Sequence, residues 1–263
     1  MPYRHVQTSV SDGVGTLTFN RPDMLNAFDR AMGEEMLRAG QELVENPAVR
    51  VLVLTGSGRA FCSGADVKFL SSSLEGRRLE DALAVVQQGN ALARLLYEAP
   101  QPVLASLNGA AAGGGASLAL ACDFRIGSDQ AAMGMVFHKI GVLPDLGATY
   151  FLPRLVGPAR ALELIWSAEM VPAARCLELG LLTRVVPAKD LAEETAKWAA
   201  RLTALPGLAA GLAKRAVQHA TGPDLATALQ REYESQERCF RSYDAVEGMA
   251  AFLGKRAAHF RGH

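Results

Sequence analysis

Two glycine-bearing turns carry the first chemical signal in this 263-residue chain. One reads Thr55-Gly56-Ser57-Gly58-Arg59-Ala60-Phe61-Cys62-Ser63-Gly64-Ala65-Asp66. The other reads Asn108-Gly109-Ala110-Ala111-Ala112-Gly113-Gly114-Gly115-Ala116-Ser117. Each follows an apolar run. Glycine lets backbone approach a ligand closely, and a helix N-terminus leaves N–H groups without partners. Two such groups converging on one oxygen make an oxyanion hole, which stabilises charge developing on a carbonyl. Taken singly, either turn reads more often as just a tight strand-to-helix connection. Phosphate binding suits neither. The first lacks the Lys and Ser or Thr of GxxxxGK[ST], and the second lacks both the GxGxxG spacing and the acid that should follow it.

Other reactive side chains give less. Cys62, Cys122, Cys176 and Cys239 are far apart, with no CxxC pair. They read as reduced thiols of a cytoplasmic protein, not as a disulfide framework or zinc site. His5, His138, His219, His259 and His263 form no HExxH or other ligand pairing, so no metal is expected.

The elements that must position the turns follow from periodicity. Gly15–Phe19, Val51–Thr55, Pro102–Leu107 and Asp123–Ile126 read as strands. Asn26–Val44 has Phe28, Met32, Met36 and Leu43 at helical spacing, with Pro47 beyond its end. A second helix is expected over Leu79–Tyr97, burying Leu83, Val86, Ala93 and Leu96, and a third begins in the glycines. After Gly157 helices dominate: Pro158–Ser167, Pro172–Leu179, Asp190–Leu202, Gly207–Ala220, Pro223–Ser242 and Ala245–Gly254. Strands alternating with helices before a helical tail make an α/β core. No internal repeat is evident.

Composition narrows the function classes. Hydrophobic residues are 49% and charged residues 21%, as in a globular protein with a real core. Lys plus Arg (27) equals Asp plus Glu (27), which argues against broad capture of nucleic acid or membrane. The basic pairs Arg77-Arg78, Lys214-Arg215 and Lys255-Arg256 are short and read as solvated surface. The N-terminus has no signal-peptide stretch. The uncharged run from Ala99 to Cys122 contains Pro100, Pro102, Asn108 and three consecutive glycines, so it reads as buried strand–loop–helix, not as a membrane span.

Taken together and in order, the motifs resemble the crotonase, or enoyl-CoA hydratase/isomerase, superfamily. The resemblance runs nearly end to end. It includes Asn20-Arg21-Pro22 with Leu25-Asn26-Ala27, Gly58 to Asp66, and Pro102-Val103 through Asn108-Gly109 to the triple glycine. It continues through Ala119–Asp123, Ile140–Pro144, Leu152–Gly157 and a tail from Glu247 to Phe260. It implies a spiral of ββα units over 1–200 and a helical oligomerisation region over 201–263, forming a trimer or a dimer of trimers. It also implies that the Ala65 and Gly114 N–H groups hold the carbonyl oxygen of an acyl-CoA thioester. Leu25, Ala27, Ser63, Asp66 and Lys68 match stretches that line CoA. Lys255 and Phe260 match tail residues that hold the nucleotide end in a neighbouring subunit, although Gly254 stands where glutamate is usual. A solvated lysine and a core phenylalanine are equally open readings of those two. No external cofactor is implied, because CoA arrives as part of the substrate.

The same resemblance bears on the reaction. Family hydratases use two glutamates to position water, and the matching positions here are Ser117 and Phe137. Neither can exchange a proton with a shared water, which disfavours hydration by that route. Phe137-His138-Lys139-Ile140-Gly141-Val142-Leu143-Pro144-Asp145 is instead similar to the ring-1,2-epoxyphenylacetyl-CoA isomerases, whose matching aspartate handles the proton. Asp145, flanked by Leu143 and Leu146 in an apolar acyl pocket, is expected to have a raised pKa. Its alternative role is to cap the helix that follows. Phe137 takes the site-facing position, and His138 should point away, as adjacent residues of an extended segment do. Aromatic-CoA dehalogenases share the aspartate but also need a histidine before the triple glycine, and none occurs between His5 and His138. The expectation is therefore an isomerase, with a hydratase or a non-catalytic acyl-CoA- or RNA-binding protein as alternatives.

Overall fold

The computed structural model describes residues 3–220, 222 and 224–262. Two sheets organise them. The larger has strand order β1-β2-β3-β5-β7-β10, from β1 (Val6–Ser11) and β2 (Val14–Phe19) through β3 (Val51–Gly56), β5 (Val103–Leu107) and β7 (Phe124–Ser128) to β10 (Arg184–Val186). The smaller runs β4 (Ala60–Cys62), β6 (Ala110–Ala112), β8 (Ala132–Gly134) and β9 (Val171–Pro172). Among the described residues only the β1–β2 and β8–β9 pairings are antiparallel. The β1–β2 hairpin turns on Asp12 and Gly13, whose φ values of 51° and 78° match a tight two-residue turn.

From β3 to β8 consecutive strands alternate between the sheets, and helices carry the chain to the next pair. After β3 and β4 come α2 (Val67–Glu75) and α3 (Leu79–Glu98), and after β5 and β6 comes α4 (Gly114–Ala121). After β7 and β8 come a 3₁₀ turn over Val136–Ile140, then α5 (Ala148–Val156) and α6 (Pro158–Ser167). This is a spiral of ββα units. α1 (Arg30–Glu45) packs beside α3. Every residue of α4 is buried, which accounts for a helix apolar on all sides.

The chain then runs through α7 (Ala173–Glu178), α8 (Leu191–Thr203), α9 (Gly207–Gln218), α10 (Leu225–Phe240) and α11 (Tyr243–Leu253). Leu191, Ala199 and Leu202 of α8 pack against Val51, Val53, Leu104 and Ile126 of the larger sheet. α9 is fixed by Lys214, whose Nζ meets the Asp123 carboxylate at 2.8 Å and donates to the Leu96 and Gln101 carbonyls. α10 buries no residue within the chain.

The expected strands are all present, and so are the expected helices, Pro158–Ser167 with the expected bounds and others with shifted ends. The Asn26–Val44 helix starts only at Arg30, because Leu25 and Asn26 occupy a left-handed turn and Asp29 caps the Met32 N–H. In α3 the buried face is Val85, Gly89, Leu92, Ala93 and Leu96, while Leu83 is exposed. The expected start of the Pro223–Ser242 helix lies outside the described residues, and α10 begins at Leu225, capped by Asp224. The segment around Phe137 is a 3₁₀ turn instead of an extended one. Phe137 is nonetheless buried and His138 exposed.

Candidate active site

Asn26 and Arg21 build the floor on which the first glycine turn rests. The Asn26 amide donates to the carbonyls of Ser57, Ala60 and Phe61 and accepts from the Arg21 N–H, so its buried side chain is fully satisfied. The Arg21 guanidinium donates to the Ala27 carbonyl at 2.8 Å and lies 3.3 Å from both the Asp29 and Asp66 carboxylates. Asp66 also accepts from the Lys68 and Phe69 N–H groups and thereby caps α2. The residues on either side of Ala65 are thus pinned. Phe28 N–H donates to the Gly64 carbonyl and Asp66 N–H to the Phe28 carbonyl. In this parallel bridge the Ala65 N–H is left pointing elsewhere, without an acceptor among the described residues.

Gly114 opens α4, so its N–H has no partner within the helix. Gly113 precedes it at φ 51° and ψ −127°, a conformation that glycine adopts readily. The two turns are pressed together. A Cβ on Gly64 would stand 2.8 Å from the Ala112 carbonyl oxygen and 3.0 Å from the Gly114 nitrogen. A Cβ on Gly115 would collide with the Cys62 carbonyl. These glycines let the turn that carries Ala65 close against the start of α4, whose positive end lies at Gly114.

Ala65 and Gly114 line a cavity of about 270 Å³ together with Ser63, Phe137 and Asp145. Its other walls are apolar: Phe28, Val67, Leu70, Val85, Val86, Ile140 and Leu146 among them. Asp145 is the one carboxylate among the lining residues, and Lys139 the one cation. Burial pushes the Asp145 carboxyl up to about 6. Its Oδ1 is enclosed without a hydrogen-bond partner among the described residues. It caps no helix: α5 starts at Ala148 behind Gly147, and its N-cap has no side-chain bond.

The other expected residues fall elsewhere. Ser117 is wholly buried and donates to the Gly113 carbonyl, away from the cavity lining. Leu25 accepts the Ser63 N–H through its carbonyl, and Ala27 is buried. Lys68 is exposed at the start of α2. Lys255 is exposed on the tail, and Phe260 packs against Gly248 of α11, so neither reaches the cavity of its own chain. Val67 falls within the Ser63–Lys68 stretch expected to line CoA, whereas Phe28 and Leu70 line the cavity without a signal in the sequence. Helical spacing had placed Phe28 in a helix, and no strong periodic signal marked α2. Among the described residues no group of three or more His, Cys, Asp or Glu is placed to hold a metal ion. No helix among them is long and apolar enough to cross a membrane.

Ala65 and Gly114, whose N–H groups have no acceptor among the described residues, thus share an apolar cavity with one largely desolvated acid. The family model for enoyl-CoA hydratase/isomerase matches residues 9–263, and the chain belongs to that family. It is 37% identical to the 1,2-epoxyphenylacetyl-CoA isomerase of Escherichia coli over 98% of each chain. It is 36% identical to the crotonyl-CoA hydratase of Syntrophomonas wolfei over 99% of each. The crystal structure of an enoyl-CoA hydratase from Bacillus anthracis superposes with a TM-score of 0.92 at 33% identity, covering 99% of this chain and 100% of that one. The fold is the crotonase fold, and the family acts on acyl-CoA thioesters.

Proposed function

We propose that the protein isomerises acyl-CoA thioesters through an enolate, with Asp145 as the proton shuttle. The ionised carboxylate takes a C2 proton from a 3-enoyl-CoA. The Ala65 and Gly114 N–H groups hold the resulting enolate oxygen, and the protonated Asp145 returns the proton at C4 to give the 2-enoyl-CoA. A ring-1,2-epoxyphenylacetyl-CoA type of substrate would use the same enolate. One oxyanion donor contributes about 3–4 kcal/mol to such a barrier. The observation that carries the reading is the desolvated Asp145 carboxyl, its Oδ1 without a partner among the described residues, in a cavity with no second acid in its lining. A group near pH 6 both accepts and returns a proton readily at neutral pH. With Ser117 and Phe137 at the glutamate positions of hydratases, a water would have no carboxylate pair to activate it. No cofactor beyond the CoA of the substrate enters this scheme.

The reading extends to assembly as a trimer or dimer of trimers. Leu225, Tyr233, Phe252 and Leu253 on α10 and α11 are 74%, 69%, 84% and 81% exposed, an apolar surface that a neighbouring subunit would cover. Lys255 and Phe260 would then serve that neighbour's CoA.

The test is turnover of trans-3-hexenoyl-CoA by wild-type protein and by Asp145→Ala. Formation of 2-hexenoyl-CoA that vanishes in the variant is the expected result. Activity surviving the substitution removes Asp145 from the chemistry. A 3-hydroxy product from 2-hexenoyl-CoA, without isomerisation, would favour hydration, the activity in the name of the Syntrophomonas relative.

A further inference from the structure

The loop that carries Asp145 is held in an unfavourable shape by residues of α3. Leu146 has φ 51°, a left-handed conformation that a branched side chain adopts rarely, and its side chain is only 2% exposed. Such a conformation persists only where its surroundings over-determine it. Two residues of α3 do so. The Asn90 Oδ1 accepts the Leu146 N–H at 3.1 Å. Gly89 leaves the space that Leu146 fills: a Cβ there would stand 2.7 Å from Leu146 Cδ2 and 2.8 Å from its Cγ. On its other side the same Cδ2 lies 3.4 Å from where a Cβ on Gly114 would be. The Leu146 side chain is therefore wedged between α3 and the glycine that supplies an oxyanion donor.

Two backbone bonds hold the loop together with this clamp. The Val142 N–H donates to the Phe137 carbonyl at 3.3 Å, and the Ala148 N–H to the Asp145 carbonyl at 3.0 Å. The second closes a tight turn whose central residues are Leu146 and Gly147, at φ 51° and 82°, and the Asn90 oxygen is the side-chain acceptor that supports this turn from outside. Without Asn90 the Leu146 N–H would lose its protein acceptor, and the residue could relax toward negative φ. A rotation there would swing the adjoining Asp145 relative to Gly114.

We propose that Asn90 is a positioning residue: by accepting the Leu146 N–H, it holds the Asp145 carboxyl in register with the oxyanion donors. This rests on Asp145 being the proton shuttle. Asn90 is absent from the cavity lining and touches no reacting atom. Its effect belongs to the chemical step and not to substrate binding.

The experiment compares Asn90→Ala, Asn90→Asp, Asp145→Ala and the double variant Asn90→Ala/Asp145→Ala on trans-3-hexenoyl-CoA, with amide hydrogen exchange at Leu146. Asn90→Ala should lower kcat by about 10–100-fold, the scale of a misplaced catalytic group, with KM within about twofold. Leu146 amide exchange should accelerate in the same variant. Asn90→Asp keeps the accepting oxygen and should restore kcat to within about fivefold of wild type with slow exchange. The double variant should be no slower than Asp145→Ala, because the two residues act in one chain. Unchanged kcat in Asn90→Ala, beside an inactive Asp145→Ala, overturns the positioning role and leaves the shuttle intact. Equal losses in Asn90→Ala and Asn90→Asp, with KM and thermal midpoint falling out of range together, mark a merely structural residue and also overturn it. Wild-type turnover in Asp145→Ala removes the shuttle and this inference with it.

Discussion

Replacing Asp145 by Asn should make the protein more stable at pH 8 while abolishing its activity. In the folded chain the carboxyl is pushed by burial from 3.8 to about 6. A raised folded-state pKa in an acid means that folding favours the protonated form. That contribution to stability is fully present below pH 3.8 and is lost as pH rises through about 6. At 1.36 kcal/mol per pH unit, the loss amounts to about 3 kcal/mol. Asn has nearly the same shape and carries no charge at any of these pH values. The stability of Asp145→Asn relative to wild type should therefore rise by about 2–3 kcal/mol between pH 4 and pH 8, even if its amide is imperfectly bonded at both. Urea unfolding at the two pH values, at one protein concentration, measures that double difference. Isomerisation should fall by at least about 100-fold, since an amide cannot take the C2 proton. A relative stability that stays flat from pH 4 to pH 8 would refute the desolvated-acid argument. It would mean that Asp145 is paired or hydrated in solution.

Isomerase kcat/KM should fall on the acid side of about pH 6, as the base form of Asp145 is lost, and this limb should vanish from any residual rate of Asp145→Asn. Gly115→Ala should destabilise the fold by about 1–3 kcal/mol in urea melts, because the new methyl meets the Cys62 carbonyl across two pinned turns. Gly114→Ala meets Phe28 Cζ at 3.0 Å and Leu146 Cδ2 at 3.4 Å, so its cost should appear in kcat before it appears in stability. Lys214→Met leaves the Asp123 carboxylate with only the Val103 N–H and should cost about 2–3 kcal/mol, read as a lower urea midpoint.

The two glycine turns are legible because their signal is local. A run such as Gly113-Gly114-Gly115 after a strand states both that backbone must come close and that a helix starts there. The floor beneath them was less so. Asn26 looked helical because Phe28, Met32 and Met36 repeat at the right spacing, yet its amide satisfies three carbonyls that lie 31 to 35 residues away. Periodicity cannot register a partner at that distance. The short strands β4, β6 and β8, three residues each, were missed because so few residues hold no alternation to read. The β1–β2 hairpin did leave a signal, Asp12-Gly13 between two runs of strand-forming residues.

Asp145 shows where local reading divides. Pro144-Asp145-Leu146-Gly147 supports a cap and a catalytic acid equally, because both need a small acid after a fixed turn. The deciding fact is two residues away. Gly147, at φ 82°, takes the N-cap position of α5, and that frees the carboxyl from the helix. Leu146 takes the strain between them, against Gly89 and Asn90, which lie more than fifty residues back in the chain. A carboxyl that caps no helix, keeps only its own backbone N–H as a donor and shares a cavity with Val85, Phe137 and Leu146 has few ways to stabilise its charge. Its raised pKa is then a consequence of how the loop is pinned, and on the proposed reading the same pinning that costs stability at neutral pH is what readies the acid for proton transfer.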